Sequence, residues 1–375
     1  MGSTRLAGGV RIEFWLIVCI SVLWLYGCAP TPREFVLDSP EHRLTNGLRL
    51  LELGRVEDAR YEFGEALRLD PSCCAALRGI AISLGLEERF EKAFELMNQA
   101  KSCAKDPRDK SMAAVGFMRL NELQKANGWF KRTEKFFDEA LRYFPENSYA
   151  YYYMGIAYGQ AGLFPKALWA FEEAAKIGGP IGEKAEQRLN SVKKVIQAKP
   201  VSTSARNLAL KEVLTRGDVA VLFIRELQLD KIYRERGIPF LDESNKGFSL
   251  PQDVSKHPYK KEITKVLHLG IQGLTLLPGG GFGPNLQVTR SEFATMIADI
   301  LRNIRVKDSA EAFTGGREVV FADISKKAAY RADVILCTVY FHLMEPEHGL
   351  FRPMDLISGP DALVAVAKLK NLIGP

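Results

Sequence analysis

The feature that most constrains this chain is a set of small, aromatic and proline positions that recurs between residues 41 and 182. Ala66, Ala100, Ala140 and Ala174 follow one another at steps of 34, 40 and 34 residues. A step of that length holds two helices and two turns, a unit too small to bury its own apolar face, so neighbouring copies must stack. The first copy carries Gly47, Ala59, Phe63, Ala66 and Pro71, and the last carries Gly155, Ala167, Phe171, Ala174 and Pro180. Two weaker copies lie between them, one through Leu77, Ala81, Ala93, Met97 and Ala100, the other through Phe117, Asn121, Phe137, Ala140 and Pro145. Glycine and alanine let two antiparallel helices approach closely, and the phenylalanines fill the wedge against the next hairpin. Each proline ends a second helix. The 40-residue step predicts a longer second helix or loop around 103–112.

These columns resemble the tetratricopeptide repeat, whose period is 34 residues. The resemblance implies a concave groove lined by the first helices, at Leu44, Leu48, Leu51, Ile82, Met118, Glu122, Tyr149, Tyr152 and Ile156. That surface is apolar and aromatic and lacks the Lys and Asn set with which some members clamp a peptide carboxylate. It points to an apolar helix or extended segment of a protein partner. The competing reading is that the chain's own tether or capping helix covers it. Residues 183–198 place Leu189, Val192, Val195 and Ile196 on one stripe of a charged helix, which suits a cap on the last repeat.

Residues 199–206 read as a linker, and beyond it a different period begins. Asp253 and Asp323 lie 70 residues apart, and Phe282-Gly283-Pro284 precedes Phe351-Arg352-Pro353 by 69. Thr289-Arg290-Ser291-Glu292 precedes Ser358-Gly359-Pro360-Asp361 by 69 as well, with a half-copy at Thr215-Arg216-Gly217-Asp218. This pattern resembles the S-layer homology domain, good over 251–302, fair over 320–370 and half present over 208–227. The resemblance implies three helical lobes that bind a cell-wall polysaccharide, with Arg216 and Arg290 in anionic-sugar pockets alongside Thr215, Asp218, Thr289 and Glu292. The third copy has Gly359 where the arginine would stand. A second reading competes: each Thr or Ser with the acid three residues on fits a helix capping box. Capping accounts for the hydroxyl and the acid, but not for an arginine set against the helix dipole.

At the N-terminus, Arg5 and Arg11 precede an apolar run from Phe14 to Leu25. The run is shorter than the ~20 residues of a membrane span and suits a secretory signal. Leu25-Tyr26-Gly27-Cys28 resembles the lipobox of bacterial lipoproteins. The resemblance implies a signal peptide over 1–27, acyl chains on Cys28 that hold the membrane, and a tether over 28–40. Ala29 stands where an Asp would favour the inner membrane, so the resemblance points to the outer membrane, facing the periplasm. The alternative is an uncleaved signal anchor in which Cys28 is incidental.

Composition removes other classes. A net charge of +6 over 375 residues makes no basic stripe, so no nucleic-acid partner is expected. Five His and six Cys show no metal-ligand spacing, and either Cys73 or Cys74 is free to pair with Cys103 in an oxidising compartment. The glycine run 279–283 lacks the Lys-Ser/Thr of a phosphate loop and reads as a turn. No cofactor, no metal and no catalytic constellation is expected. The chain thus reads as all-α: a helical-hairpin solenoid over 41–182, a cap over 183–198, a linker over 199–206 and a three-lobed helical module over 207–375. The expected function is a non-enzymatic, lipid-anchored envelope scaffold, its groove holding a protein and its module holding cell-wall glycan or peptidoglycan. The alternative is an assembly or pilotin-like lipoprotein of a secretion or pilus system, with a degenerate protein-interaction module.

Overall fold

The computed structural model describes residues 39–239, 249–305 and 321–374. The expected signal segment, Cys28 and nearly all of the tether lie outside the described residues. Among the described residues there are helices and isolated backbone bridges but no strand. Contacts divide the chain into two compact units, one ending at Asp109 and the other beginning at Lys110.

The first unit holds two helical hairpins, α1 (Pro40–Glu52) with α2 (Val56–Leu69) and α3 (Cys74–Leu86) with α4 (Phe90–Cys103). Ser39 caps α1, its hydroxyl accepting from His42 N at 3.2 Å, and Pro40 takes the first helical position, where a missing N–H costs nothing. Phe63 on α2 is fully buried between the first helices of both hairpins. A Cβ on Gly47 would come within 2.5 Å of its ring, and one on Gly79 within 2.6 Å, so the wedge fits only because both first helices carry glycine there. Cys74, the first residue of α3, is disulfide-bonded to Cys103, the last of α4, with 5.8 Å between their Cα atoms. The bridge closes the end of the hairpin opposite its turn. Cys73 is a free, half-buried thiol.

The second unit continues through α5 (Pro107–Gln124), α6 (Trp129–Tyr143), α7 (Ser148–Gln160) and α8 (Phe164–Ile177). The long step is taken up chiefly in α5, which has 18 residues where α1, α3 and α7 have 13, and not in a second helix or loop. A buried polar chain joins these hairpins. The Asn147 amide donates to Ser111 Oγ at 2.7 Å, and Ser111 Oγ donates to Ala140 O at 2.8 Å. Asn147 Oδ1 meanwhile caps α7 through Tyr149 N and Ala150 N, so no polar atom of this chain is stranded. Phe171 repeats the wedge of Phe63, with a Cβ on Gly155 falling 2.8 Å from its ring.

Helix α9 (Gly182–Ala198) packs on α8, and it does not end a domain. The expected linker is part of the packed structure. Ser202 caps α10 (Thr203–Leu208), and the backbone N–H groups of Val201 and Ser202 donate to the buried Glu226 carboxylate at 3.0 and 2.8 Å. Ala205 and Leu208 are buried, and Leu210 reaches into the space a Cβ on Gly159 would need. A polar, serine-rich stretch is ordered here because one buried carboxylate satisfies its free N–H donors.

The module that follows comprises α11 (Arg216–Val221), α12 (Leu229–Glu235), α13 (Lys260–Leu269), α14 (Arg290–Arg305), α15 (Arg331–Ile335) and α16 (Gly359–Ile373). Its organisation shows in three hydrogen bonds. Leu214 N donates to Ile357 O at 2.9 Å, Ile357 N to Val288 O at 2.9 Å, and Val288 N to Leu214 O at 3.0 Å. The three residues form a closed ring, and each immediately precedes the cap of a helix: Thr215, Thr289 and Ser358. A closed cycle of equivalent bonds is the mark of pseudo-threefold symmetry. Helix α16 of the third lobe also packs on α9, so the end of the repeats and the module share one helix.

Candidate functional site

Each lobe offers the next one a loop, and the pieces correspond. The Asp253 carboxylate accepts from Phe282 N at 3.2 Å and Gly283 N at 2.7 Å. Asp323 accepts from Phe351 N at 3.1 Å and Arg352 N at 2.6 Å. Gly283 and Arg352 both take a left-handed turn, at φ +69° and +56°. Each loop buries its phenylalanine completely, and an arginine from the preceding lobe lies over the ring. The guanidinium carbon is 4.7 Å from the Phe282 centroid for Arg216 and 5.0 Å from Phe351 for Arg290.

The two arginines then differ. Arg216 donates from Nε to Phe282 O at 2.8 Å, from Nη2 to Thr275 O at 2.8 Å and from Nη1 to Gly273 O. All three nitrogens are used on backbone carbonyls. Arg290 donates from Nε to Phe351 O at 2.9 Å and from Nη2 to Glu345 O at 3.0 Å, while its Nη1 makes no hydrogen bond among the described residues. Arg290 is only 8 % exposed, and it lines a cavity of about 110 Å³ with Lys194, Gln197, Glu345, Glu347 and Asp361. The three carboxylates of this cavity each have a cation: Asp361 has Lys194 at 2.7 Å, Glu345 has Lys368 at 2.7 Å and Glu347 has Arg352 at 2.9 Å. Arg290 has no such ion pair among the described residues, although its charge also helps to keep Asp361 ionised, and its Nη1 is left as a donor beside the cavity. Burial would raise the Asp361 carboxyl, but hydrogen bonds from Lys194 and Ser358 overcome it and hold the group below the ordinary carboxylate value. The Lys368 hydrogen bond and charge do the same for Glu345.

The remaining residues expected to touch a wall ligand are engaged in capping. Thr215 and Asp218 form a complete capping box, and the buried Asp218 also takes the ammonium of Lys211. Thr289 N and Oγ1 both donate to Glu292 Oε2, at 2.8 and 2.9 Å. Arg216 therefore acts as a clasp between lobes. In the third copy, a Cβ on Gly359 would fall well inside 3 Å of Leu208 O and 3.1–3.2 Å from the carbonyls of Lys211 and Ala209. Backbone occupies the place where an arginine would enter.

The expected partner groove is corrected in part. Ile82, Met118 and Tyr152 are buried in the core and cannot line an open surface. A first helix is covered by its own second helix and by the adjoining hairpin, which leaves only a narrow strip exposed. In the first unit Leu48 is 54 % exposed and Leu44 and Leu51 are half-buried. In the second, Glu122, Tyr149 and Ile156 are half-buried, and Arg119 lies 4.7 Å from the ring of the neighbouring Tyr153. Sequence reasoning missed Lys194 and Gln197 as site residues. They look like any charged or polar positions on a solvated helix, and nothing local marks them as facing Asp361, 167 residues away from Lys194.

Paired helices with wedge aromatics, followed by a pseudo-threefold helical module, define a helical-repeat protein. Residues 44–109 and 119–181 match the tetratricopeptide repeat family, and residues 252–294 match the S-layer homology domain. The chain therefore carries tetratricopeptide repeats and an S-layer homology domain, families that point in general to protein interaction and cell-surface binding and that are typically non-catalytic. Among solved structures it is similar to a thermophilic tetratricopeptide repeat protein of Thermus thermophilus, at 17 % identity over 52 % of this chain and 97 % of that one, with a TM-score of 0.35. A repeat protein from Parabacteroides merdae aligns at 11 % identity over 73 % and 96 %, TM-score 0.26. The pilF protein of Pseudomonas aeruginosa aligns at 15 % identity over 43 % and 90 %, TM-score 0.20. Scores at this level carry no argument about function. No curated protein matches the chain. No helix among the described residues is long and apolar enough to cross a membrane.

Proposed function

We propose that this chain is a non-enzymatic scaffold of the bacterial envelope, held by lipid on Cys28 to a membrane that Ala29 marks as the outer one, facing the periplasm. Its repeats take an apolar segment of a protein partner, and its module takes an anionic group of the cell wall at Arg290. The observation that carries the wall-binding part is the difference between two equivalent arginines: Arg216 is saturated by carbonyls, and Arg290 keeps one donor beside a cavity that Lys194 also lines. The Cys74–Cys103 disulfide supports an oxidising, extracytoplasmic location.

The second reading, an assembly or pilotin-like lipoprotein, draws on the saturation of Arg216 and the closure of the position at Gly359, which leave one open site where threefold symmetry would give three. Co-sedimentation of the purified full chain, kept in detergent, with isolated cell-wall sacculi separates the two. The scaffold reading expects the parent and Arg216→Ala to pellet and Arg290→Ala to stay in solution. Both variants lose a clasp, but only one loses the cavity donor. Failure of the parent to pellet refutes wall binding and leaves the assembly reading.

A further inference from the structure

Helix α9 sits between two parts of the molecule that the sequence treats as separate. One face packs on α8, the last helix of the repeats, and another packs on α16 of the third lobe. From that second face Lys194 and Gln197 enter the Arg290 cavity. Neither residue lies within the stretch that matches the S-layer homology domain. The cavity is therefore built from three sources: α9, the arginine of the second lobe, and the loop and helix of the third.

We propose that the wall-ligand site is composite, with Lys194 as the residue that selects a carboxylate-bearing group of the cell wall. The proposal rests on the reading of Arg290 given above. Lys194 Nζ holds Asp361 Oδ1 at 2.7 Å across the cavity wall, and its side chain is 42 % exposed, so an incoming group can reach the ammonium. Asp361 keeps a second donor in Ser358 Oγ, at 2.6 Å on its other oxygen, when the ammonium shifts toward a ligand. An incoming carboxylate accepts from Arg290 Nη1 and draws Lys194 over as a second cation. Gln197, one turn further along α9, offers an amide donor to the same group. A neutral sugar gains no charge interaction with either cation. Because α9 is also the cap of the repeats, the ligand is gripped partly by the repeat stack, and detaching α9 empties the site.

The sign of one substitution tests the exchange. In co-sedimentation of the full chain with sacculi, Lys194→Gln is expected to weaken binding about tenfold, which corresponds to about 1.4 kcal/mol. Asp361→Asn releases Lys194 from its competitor and is expected to tighten binding severalfold. A pair that merely held α9 on α16 would make both variants bind more weakly, or neither, and that result overturns the proposal. Lys194→Arg keeps a cation and is expected to restore binding. Sacculi whose carboxyls have been amidated should fail to hold the parent chain, and undiminished binding to them overturns the carboxylate assignment. Sacculi stripped of attached polymer distinguish the source: lost binding places the carboxylate on an acidic saccharide, retained binding on the peptide stems. If Arg290→Ala abolishes binding while Lys194→Gln and Asp361→Asn bind like the parent, the composite site is refuted and the wall-binding reading survives. If the parent itself does not pellet, both fall.

Discussion

Replacing Gly359 by alanine tests the central packing claim for the module. The added methyl would stand well inside 3 Å of Leu208 O, with the carbonyls of Lys211 and Ala209 at 3.1 and 3.2 Å. All three neighbours are backbone, so none can swing aside as a flexible side chain would. Forcing a methyl group into packed structure costs about 1–3 kcal/mol. The shift also stretches the hydrogen bond from Gly359 N to Lys211 O, now 2.8 Å, which contributes about 0.5–1.5 kcal/mol. Against this stands a gain of about 0.4–1 kcal/mol from the reduced conformational freedom of the unfolded chain. The expected net loss is about 2–3 kcal/mol, or a fall of roughly 5–10 °C in the melting temperature of a unit this size. Gly64 on α2 is the control: it is helical too, but a Cβ there meets nothing within 4 Å, so alanine should raise stability slightly. Calorimetry on the full chain reads both. A Gly359→Ala protein as stable as its parent would refute the claim that lobe-one backbone fills the third arginine position.

Two further outcomes follow from burial and cross-linking. Tyr233 and Cys337 are both pushed up to about 12 by burial, and both are less than 2 % exposed. Each is neutral in the folded state and would ionise earlier when unfolded, so the stability they contribute is complete below about pH 9 and drains as pH rises toward 12. Circular dichroism across that range should find Tyr233→Phe unfolding at higher pH than the parent; an unchanged midpoint would count against the buried phenol. For the disulfide, non-reducing peptide mapping should link Cys74, and not Cys73, to Cys103. Cys103→Ser should cost about 3–4 kcal/mol by loop-closure entropy over a separation of 29 residues, whereas Cys73→Ser should cost little. Equal losses for Cys73→Ser and Cys103→Ser would point to the other pairing.

The repeats were legible because their signal is local and steric. Gly47, Phe63 and Ala66 fall within one hairpin, and the ring needs the glycine whatever else the chain does. Burial within a stack was less legible. Periodicity places Ile82 and Met118 on an inner face, but it does not say how closely the surrounding helices cover that face, and here both side chains are covered almost completely. The capping boxes at Thr215 and Thr289 were readable as caps, with the ligand reading left in competition, and the geometry assigns their polar atoms to the caps. The cavity itself was not readable. It depends on Lys194 meeting Asp361, a contact that no local pattern encodes, and on a stretch that looks like a linker being held in place by Glu226.

Two irregularities of the sequence, the half-present first copy and the missing arginine of the third, have one structural cause. The lobes interlock in a cycle: the first lobe's Arg216 enters the loop that ends at Phe282, and the second lobe's Arg290 enters the loop that ends at Phe351. By the same step the third lobe's residue 359 should enter the loop of the first lobe. That loop is reduced to the few residues between α10 and Thr215, and the carbonyls of Ala209 and Lys211, with that of Leu208 at the end of α10, close directly on Gly359. A shortened loop leaves no cavity for a guanidinium, so the arginine has no place, and glycine is what fits. The ring of hydrogen bonds through Leu214, Val288 and Ile357 stays closed despite this, which separates what holds the fold from what can hold a ligand. Of the three equivalent interfaces, one is closed by backbone, one has its arginine saturated by carbonyls, and one keeps a donor facing a cavity. Only the last of these interfaces leaves an arginine donor beside a cavity, and helix α9, which packs on the last repeat, stands next to it.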